Sequence, residues 1–160
     1  MQDSQSIKKA EEMMKKLLSL LSIDAKSVVT LEKDEVEAQF LKISIEGENL
    51  GYLIGYRGNT LSSVQMIFNQ MFHQDDIDGL TVLIDVNNYR KRRSEYLQSL
   101  ALRAVSEAKE SGQNIELPPL APYERRIIHL FLKDSKGIVS ESEGEGEDRH
   151  IVIKLKKDSN

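Results

Sequence analysis

The stretch from Leu53 to Leu61 constrains the fold more than any other part of this 160-residue chain. Its sequence is Leu-Ile-Gly-Tyr-Arg-Gly-Asn-Thr-Leu, so two glycines lie three residues apart between apolar pieces. Glycine permits backbone angles and close approaches that a Cβ atom forbids, so the spacing predicts a sharp turn between two short helical pieces. A phosphate can approach the backbone of such a turn, and the second helix would direct its first N–H groups at that anion.

The hydrophobic pattern around the turn predicts the order helix, strand, strand, helix, loop, helix and strand. In the second strand the alternation changes phase, which predicts a long strand with a bulge near Phe40. Asn49 is predicted to cap the short helix that precedes the turn. The main elements of this half are predicted at 5–22, 24–33, 36–45, 61–72 and 80–86.

This order of elements, together with the string LIGYRGNTLSSVQ, resembles a KH domain of the bacterial type II arrangement. The resemblance implies that the loop holds about four nucleotides of single-stranded RNA. Tyr56 departs from the family's usual basic residue, which removes one phosphate contact and adds a surface for stacking. The RNA contacts implied in this half are Ile54, Gly55, Tyr56, Arg57, Gly58, Asn59 and Leu61.

The second half of the chain has helical periodicity over 88–111, and Gly112 is a stop signal. Pro122 fits the first position of another helix, where its missing N–H costs nothing, and that helix is predicted to run to about residue 133. Two short strands are predicted at 138–142 and 150–155, joined by an acidic loop that contains glycine.

Arg125 and His129 lie four residues apart on this last helix and therefore share a face. With the segment from Pro118 to His129, they resemble the small nucleic-acid-binding domain named for its Arg-x-x-x-His signature. The resemblance implies that both side chains meet single-stranded nucleic acid, with Arg149 as a further basic contact. His129 has an ordinary pKa near 6.5, so its charge is expected to change between about pH 6 and 7.5.

Two further features of this half bear on that resemblance. Residues 89–100, YRKRRSEYLQSL, resemble the opening helix of an Arg-x-x-x-His domain that follows a KH unit, and they add Arg90 and Arg93 as candidate RNA contacts. Ala121 stands where the family usually has Asn or Ser, so the helix that begins at Pro122 loses a side-chain N-cap.

The fold class predicted is α+β, with two small units. Residues 1–88 form a type II KH domain with a three-stranded sheet and helices on one face, and residues 89–160 form a small sheet with two helices. The tandem resembles the bacterial Jag/KhpB family over nearly the whole chain. That resemblance implies post-transcriptional control linked to cell elongation, division or envelope growth, and partnership with a small KH-only protein or self-association. Members usually begin with another small domain, so we expect either a natural short form or a shortened chain.

The charge distribution supports a local contact with a polyanion. The net charge is −4, yet residues 1–88 carry 8 basic and 14 acidic side chains, whereas residues 89–133 carry 9 basic and 5 acidic ones. A basic central segment in an acidic chain indicates a local surface that attracts a polyanion. The start of the chain shows no signal peptide, and no apolar stretch approaches the ~20 residues of a membrane span, so the protein is predicted to be cytoplasmic.

Other functions are less well supported by the sequence. The glycines are spaced wrongly for a dinucleotide fingerprint, and no Gly-Lys-Ser/Thr of a P-loop is present. With no cysteine and three scattered histidines, no metal or cofactor is expected. Residues 74–79 with Asp85 echo a calcium loop weakly, and turn chemistry explains them better. A nuclease is the main enzymatic alternative, but it would need metal-binding carboxylates. The rival of a different class is a protein-interaction scaffold whose KH fold no longer binds RNA.

Overall fold

The computed structural model describes residues 2–34, 36–73 and 80–156, and the chain divides into two compact units between Arg90 and Lys91. The mixed α+β class is confirmed. The first unit contains α1 (Gln2–Leu20), β1 (Lys26–Lys33), β2 (Gln39–Glu46), α2 (Gly51–Ile54), a 3₁₀ turn (Tyr56–Gly58), α3 (Asn59–Phe72) and β3 (Thr81–Val86). The second contains most of α4 (Tyr89–Ser111), then β4 (Ile115–Glu116), α5 (Pro122–Leu132), β5 (Ile138–Glu143), a 3₁₀ turn (Gly146–Asp148) and β6 (His150–Leu155).

The sheet of the first unit has the order β1-β2-β3, with β1 antiparallel to β2 and β2 parallel to β3. Every second residue of β2 is buried, as expected for a strand with one covered face. The apolar stripes of α1 and α3 supply the other side of this core. Its largest fully buried side chains are Met14, Leu41, Ile43, Ile45, Phe68, Phe72 and Ile84.

The bulge predicted near Phe40 is wrong. β2 pairs with β1 without interruption, from Gln39 opposite Lys33 to Glu46 opposite Lys26. The preceding residues form a turn, because the Asp34 carboxylate accepts hydrogen bonds from the backbone N–H groups of Val36 and Ala38, each at 2.9 Å. Aspartate competes for backbone donors in this way, so the change of phase marks the start of the strand.

Side chains of α3 and α4 bond the backbone N–H and C=O groups at the outer edge of β3. Asn69 on α3 donates to the Val82 carbonyl at 2.7 Å and accepts from the Val82 N–H at 2.8 Å. The Ile84 N–H donates to Gln65 Oε1 at 3.0 Å, and Arg90 Nε donates to the Ile84 carbonyl at 3.1 Å. These bonds satisfy an edge that would otherwise invite strand addition. They also fix α3 against β3, and thereby fix the turn from which α3 begins.

The sheet of the second unit has the order β4-β6-β5, with antiparallel pairing throughout. Gly112 ends α4 as predicted, with φ of 69° and an N–H that donates to the Ala108 carbonyl at 2.9 Å. β4 was not predicted, because two residues are too short to show a period. The core of this unit includes Leu97, Ala101, Ala104, Ile128, Leu132, Ile151 and Ile153.

Candidate nucleic-acid interface

The turn between α2 and α3, which we call the glycine turn (Gly55–Gly58), has a left-handed backbone at three of its four residues. The φ angles are 70° at Gly55, 51° at Arg57 and 83° at Gly58. The Gly55 N–H donates to the Gly51 carbonyl at 2.8 Å and closes the last turn of α2. The predicted sharp turn between two helical pieces is therefore present.

The fold itself requires both glycines. The sequence predicted the turn and the approach of a phosphate, and the structure adds the side chains that pack against each glycine. A Cβ on Gly55 would lie 2.0 Å from Thr60 Oγ1 and 2.7 Å from Thr60 Cβ. A Cβ on Gly58 would lie 2.8 Å from the ring carbon Cε1 of Tyr89. Since both residues also have positive φ, any larger residue here would strain the first unit whether or not a ligand binds.

The start of α3 is open to a ligand. Its N-cap is Gly58, which has no side chain to bond the first N–H groups, and the next residues, Asn59 and Thr60, are exposed. The Asn59 N–H already donates to the Tyr56 carbonyl. The other early N–H groups of a helix have no partner within the helix, and the helix dipole makes this end favourable for an anion. Arg57 immediately precedes Gly58 and carries the one formal charge of the glycine turn.

Three details of the sequence interpretation change here. Leu61 is 2% exposed and belongs to the core, so its side chain offers no contact surface. Ile54 is half-buried and packs against the same core. Asn49 does not cap α2, because Leu50 is the N-cap and Asn49 itself has a φ of 55°. Its left-handed backbone ends the loop after β2 instead.

In the second unit, five polar side chains of α5, β5 and the residue before β6 form what we call the Arg–His surface. His129 Nδ1 and Ser140 Oγ are hydrogen-bonded at 2.8 Å, and Arg149 Nε donates to Ser142 Oγ at 3.0 Å. Arg125 Nη1 donates to the Leu120 carbonyl at 2.6 Å, and the Leu120 N–H donates to the Arg149 carbonyl at 3.1 Å. The members are Arg125, His129, Ser140, Ser142 and Arg149.

The two serines of this surface were missed by the sequence interpretation. Ser140 and Ser142 alternate with Glu141 and Glu143 and share the face of β5 that begins with buried Ile138. A half-buried strand normally has apolar residues at these positions. The two hydroxyls there were therefore the signal in the sequence that could have identified Ser140 and Ser142.

His129 is held mainly in its neutral form. Burial lowers the pKa of the imidazole below its ordinary value of 6.5, and the positive charge of Arg125 lowers the pKa further. A hydrogen bond to the backbone of Ser140 acts in the opposite direction and is the smallest of the three effects. The charge change expected between about pH 6 and 7.5 is therefore moved to lower pH. At neutral pH the ring is a hydrogen-bonding group beside a cation.

Arg93 and Arg90 already have internal partners. Arg93 Nε lies 2.7 Å from Glu124 Oε1, and the two side chains are 16% and 0% exposed. Glu124 Oε2 also accepts the Ala121 N–H at 3.1 Å, so it satisfies the start of α5 where Ala121 has no capping side chain. Arg90 Nη2 donates to Gln65 Oε1 at 2.6 Å, and Arg90 Nε donates to the Ile84 carbonyl. Their roles as RNA contacts stay predictions, and their geometry gives both a structural role.

The acidic residues of β5 point away from the Arg–His surface. Glu141 and Glu143 occupy the alternate face of the strand, where both pair with Lys154, Glu143 at 2.7 Å. These two partners raise the pKa of Lys154 to about 12, and Lys154 in turn lowers the pKa of the Glu143 carboxyl. The cross-strand pairing offsets negative charge in the part of the unit that carries the acidic loop.

A metal site receives no support from the described part of the chain. Within residues 2–34, 36–73 and 80–156, no group of three or more His, Asp or Glu side chains is placed to hold a metal ion. No helix in these ranges is long and apolar enough to cross a membrane. Gln74, Asp76, Asp78 and Gly79, which echo a calcium loop, lie outside the described residues.

The geometry of the two units agrees with comparisons to known families. Residues 10–84 match the model of the KhpA/KhpB KH domain, and residues 95–155 match the model of the Arg-x-x-x-His domain. The chain is thus a tandem of a KH domain and an Arg-x-x-x-His domain.

The relatives define the type more closely. The chain is 37% identical over 131 residues to the RNA-binding protein KhpB of Clostridium symbiosum, and the match covers 82% of this chain and 59% of that protein. It is 33% identical over 138 residues to KhpB of Bacillus subtilis, covering 85% and 65%, and 28% identical over 131 residues to KhpB of Streptococcus pneumoniae, covering 82% and 40%. These matches support a protein of the KhpB type, also called Jag, and the chain spans less than two thirds of the length of these relatives.

Proposed function

We propose that this chain is a non-catalytic protein that binds single-stranded RNA, with the glycine turn of the first unit as one contact and the Arg–His surface of the second as another. The observation that carries the proposal is the open start of α3, where Gly58 has no side chain and Arg57 immediately precedes it. A phosphate placed there would meet backbone donors, the positive end of the helix dipole and a guanidinium. The relatives are named as RNA-binding proteins, which supports the same ligand.

The wider role is also part of the proposal. We infer that the protein acts in the cytoplasm as a post-transcriptional regulator linked to cell elongation, division or envelope growth, and that it pairs with a small KH-only protein or with a second copy of itself. The support for this role is the resemblance of the tandem to its family. RNA as the ligand has further support, because the geometry of the glycine turn fits a phosphate and the relatives are named as RNA-binding proteins.

The proposal is tested by reversing the charge in the turn. Arg57→Glu should weaken binding of a labelled single-stranded RNA by roughly 10- to 100-fold, because a charge-assisted bond to phosphate is worth about 1.5–3 kcal/mol and the new carboxylate repels the ligand. Fluorescence anisotropy measures the loss. Arg103→Glu, an exposed position on α4, is the matched control and should bind almost as wild type.

One result would favour the rival function. If purified wild-type protein carries no RNA by its absorbance ratio at 260 and 280 nm, and binds no member of a random RNA pool, the KH fold serves as an interaction scaffold. Equal losses in Arg57→Glu and Arg103→Glu would instead indicate a general effect of charge.

A further inference from the structure

Two exposed tyrosines lie at the glycine turn, one before it and one within it. They are the two most exposed of the five tyrosines in the chain. Tyr52 on α2 is 59% exposed and Tyr56 within the turn is 73% exposed. A tyrosine ring is a large amphipathic surface, and placing it in water forgoes the burial that stabilises aromatic residues elsewhere. The sequence interpretation considered only Tyr56, because Tyr52 lies before the glycine motif.

The electrostatics of the first unit explain why such rings would matter. Residues 1–88 carry 8 basic and 14 acidic side chains, so the unit as a whole repels a polyanion. Arg57 is the single basic residue of the turn. Binding that relies on phosphate contacts alone would therefore be weak here. Base stacking does not depend on net charge, and every base has a π-face to offer.

The contact between Arg57 and Tyr56 holds a cation and an aromatic ring side by side. The Arg57 guanidinium carbon lies 4.9 Å from the centre of the Tyr56 ring, within the range of a cation–π interaction. This contact orients the ring and holds the cation beside it, while the high exposure of Tyr56 leaves ring surface for a ligand. A nucleotide presents both a flat base and an anionic phosphate, so it matches the pair.

We propose that Tyr52 and Tyr56 form a stacking platform, and that the first unit recognises RNA chiefly through unpaired bases rather than through its phosphates. This inference rests on the proposed function and narrows its ligand to RNA whose bases are unstacked and accessible. Duplex RNA would be excluded, because its bases are stacked on one another and present no free face.

The test compares bases with phosphates on a ligand short enough for one site. A labelled four-nucleotide RNA and an abasic four-mer with the same phosphates are titrated by anisotropy into the full chain. Wild type should bind the abasic oligomer about tenfold more weakly or worse, which corresponds to about one stacked base. Tyr52→Ala with Tyr56→Ala should lose a similar factor on the normal four-mer and become insensitive to removal of the bases. Tyr52→Phe with Tyr56→Phe should stay within about twofold of wild type, because the ring is retained.

Tyr96 supplies a matched control. It is 49% exposed and its ring lies 5.1 Å from the Arg93 guanidinium carbon, so it reproduces the Arg–Tyr contact away from the turn. Tyr96→Ala should bind both oligomers as wild type does. Quenching of tyrosine fluorescence gives a second readout, since the chain has no tryptophan to mask it. Both the Phe and the Ala variants should lose this quenching, because neither keeps a phenol at positions 52 and 56, whereas only the Ala variant should lose affinity.

The outcomes separate this inference from the function on which it rests. Equal binding of the normal and abasic four-mers by wild type would overturn the platform and leave phosphate recognition standing. Failure of wild type to bind RNA of any length would overturn the proposed function itself. A loss in Tyr96→Ala equal to that in the turn variant would also overturn the platform, because position at the turn would then be irrelevant.

Discussion

Gly55 shows that the fold can require a residue that is also predicted to contact the ligand. Its backbone is left-handed, and Thr60 occupies the space that a side chain would need. Replacing this glycine would thus confound a binding defect with a folding defect. Arg57 and Tyr56 are the better probes of binding, because their side chains reach the surface of the turn.

The first prediction follows from that distinction. Gly55→Ala should lower the free energy of unfolding of the first unit by about 1–3 kcal/mol, because the new Cβ meets Thr60 and the φ of 70° is unfavourable. Gly51→Ala is the control, since no atom lies within 4 Å of its added Cβ, and it should be neutral or slightly stabilising. Urea unfolding followed by circular dichroism measures both. Equal stability of the two variants would refute the steric explanation.

His129 gives a prediction for pH. Its pKa is lowered in the folded protein by burial and by Arg125, so the unfolded chain takes up the proton more readily, with a pKa near 6.5. The stability that comes from neutral His129 is therefore fully present above about pH 6.5 and is lost as the pH falls below it. We expect the difference in unfolding free energy between wild type and His129→Gln to shrink from pH 7.5 towards pH 5. An unchanged difference would show that the pKa of His129 is the same in the folded and the unfolded chain, and would contradict the lowered pKa.

At the scale of elements, the start of α5 depends on one buried ion pair. Glu124 is fully buried, bonds Arg93 and accepts the Ala121 N–H, so it takes the place of the missing capping side chain. α5 carries both Arg125 and His129. The pair therefore positions the helix that carries part of the Arg–His surface.

Removing both partners of this pair should cost less stability than the sum of removing each alone. Arg93→Ala leaves the Glu124 carboxylate buried without its cation, and we expect a loss of about 3 kcal/mol in the stability of the second unit. The double replacement Arg93→Met with Glu124→Leu should lose less than the sum of the two single changes. Arg92→Ala, an exposed neighbour on the same helix, should change stability by less than about 0.5 kcal/mol. A loss in Arg93→Ala no greater than in Arg92→Ala would contradict this role.

The longer helices, α1, α3, α4 and α5, were predictable because each is long enough to show its period. The buried stripe of α4, which includes Leu97, Ala101, Ala104 and Ala108, follows the spacing read from the sequence, and Gly112 ends the helix as expected. The glycine turn was predictable for a different reason. Its geometry is local, and few residue types other than glycine fit it.

The remaining features depend on contacts that span many residues. The interruption before β2 comes from the Asp34 side chain, which a pattern of apolar residues does not register. Arg93 looked like a surface cation because its partner, Glu124, lies 31 positions away in the sequence. The same holds for Ser140, whose relation to His129 exists only once β5 packs beside α5. Periodicity predicts which face is buried, and it does not predict these polar partners.

At the scale of the whole molecule, the two units differ in how they can attract RNA. The first has an acidic composition and an exposed aromatic pair at the glycine turn, whereas residues 89–133 carry 9 basic and 5 acidic side chains. Two weak sites of different chemistry on one chain would act together on a long ligand. The second binding event is then intramolecular, and its strength is set by effective concentration.

The length of the RNA should therefore decide which variants matter. Arg125→Ala with His129→Ala removes the cation and the imidazole of the Arg–His surface together, and both contact the same region of ligand in our proposal. We expect a loss of about tenfold or more for a single strand of roughly 20 nucleotides, because avidity from a second site commonly exceeds that factor. A strand of about four nucleotides, which fills the glycine turn alone, should bind with unchanged strength.

Fluorescence anisotropy with both lengths, on wild type and the double variant, measures this difference at pH 7.5, where His129 is neutral and Arg125 carries the charge. The control is Arg103→Ala with Lys109→Ala, which removes two exposed cations of α4 and should not distinguish the two lengths. A similar loss for the four-mer and the long strand in the Arg125/His129 variant would point to damage of the fold rather than of a site. No loss at either length would mean that Arg125 and His129 serve only to hold α5 beside Leu120 and β5, and that the first unit binds RNA alone.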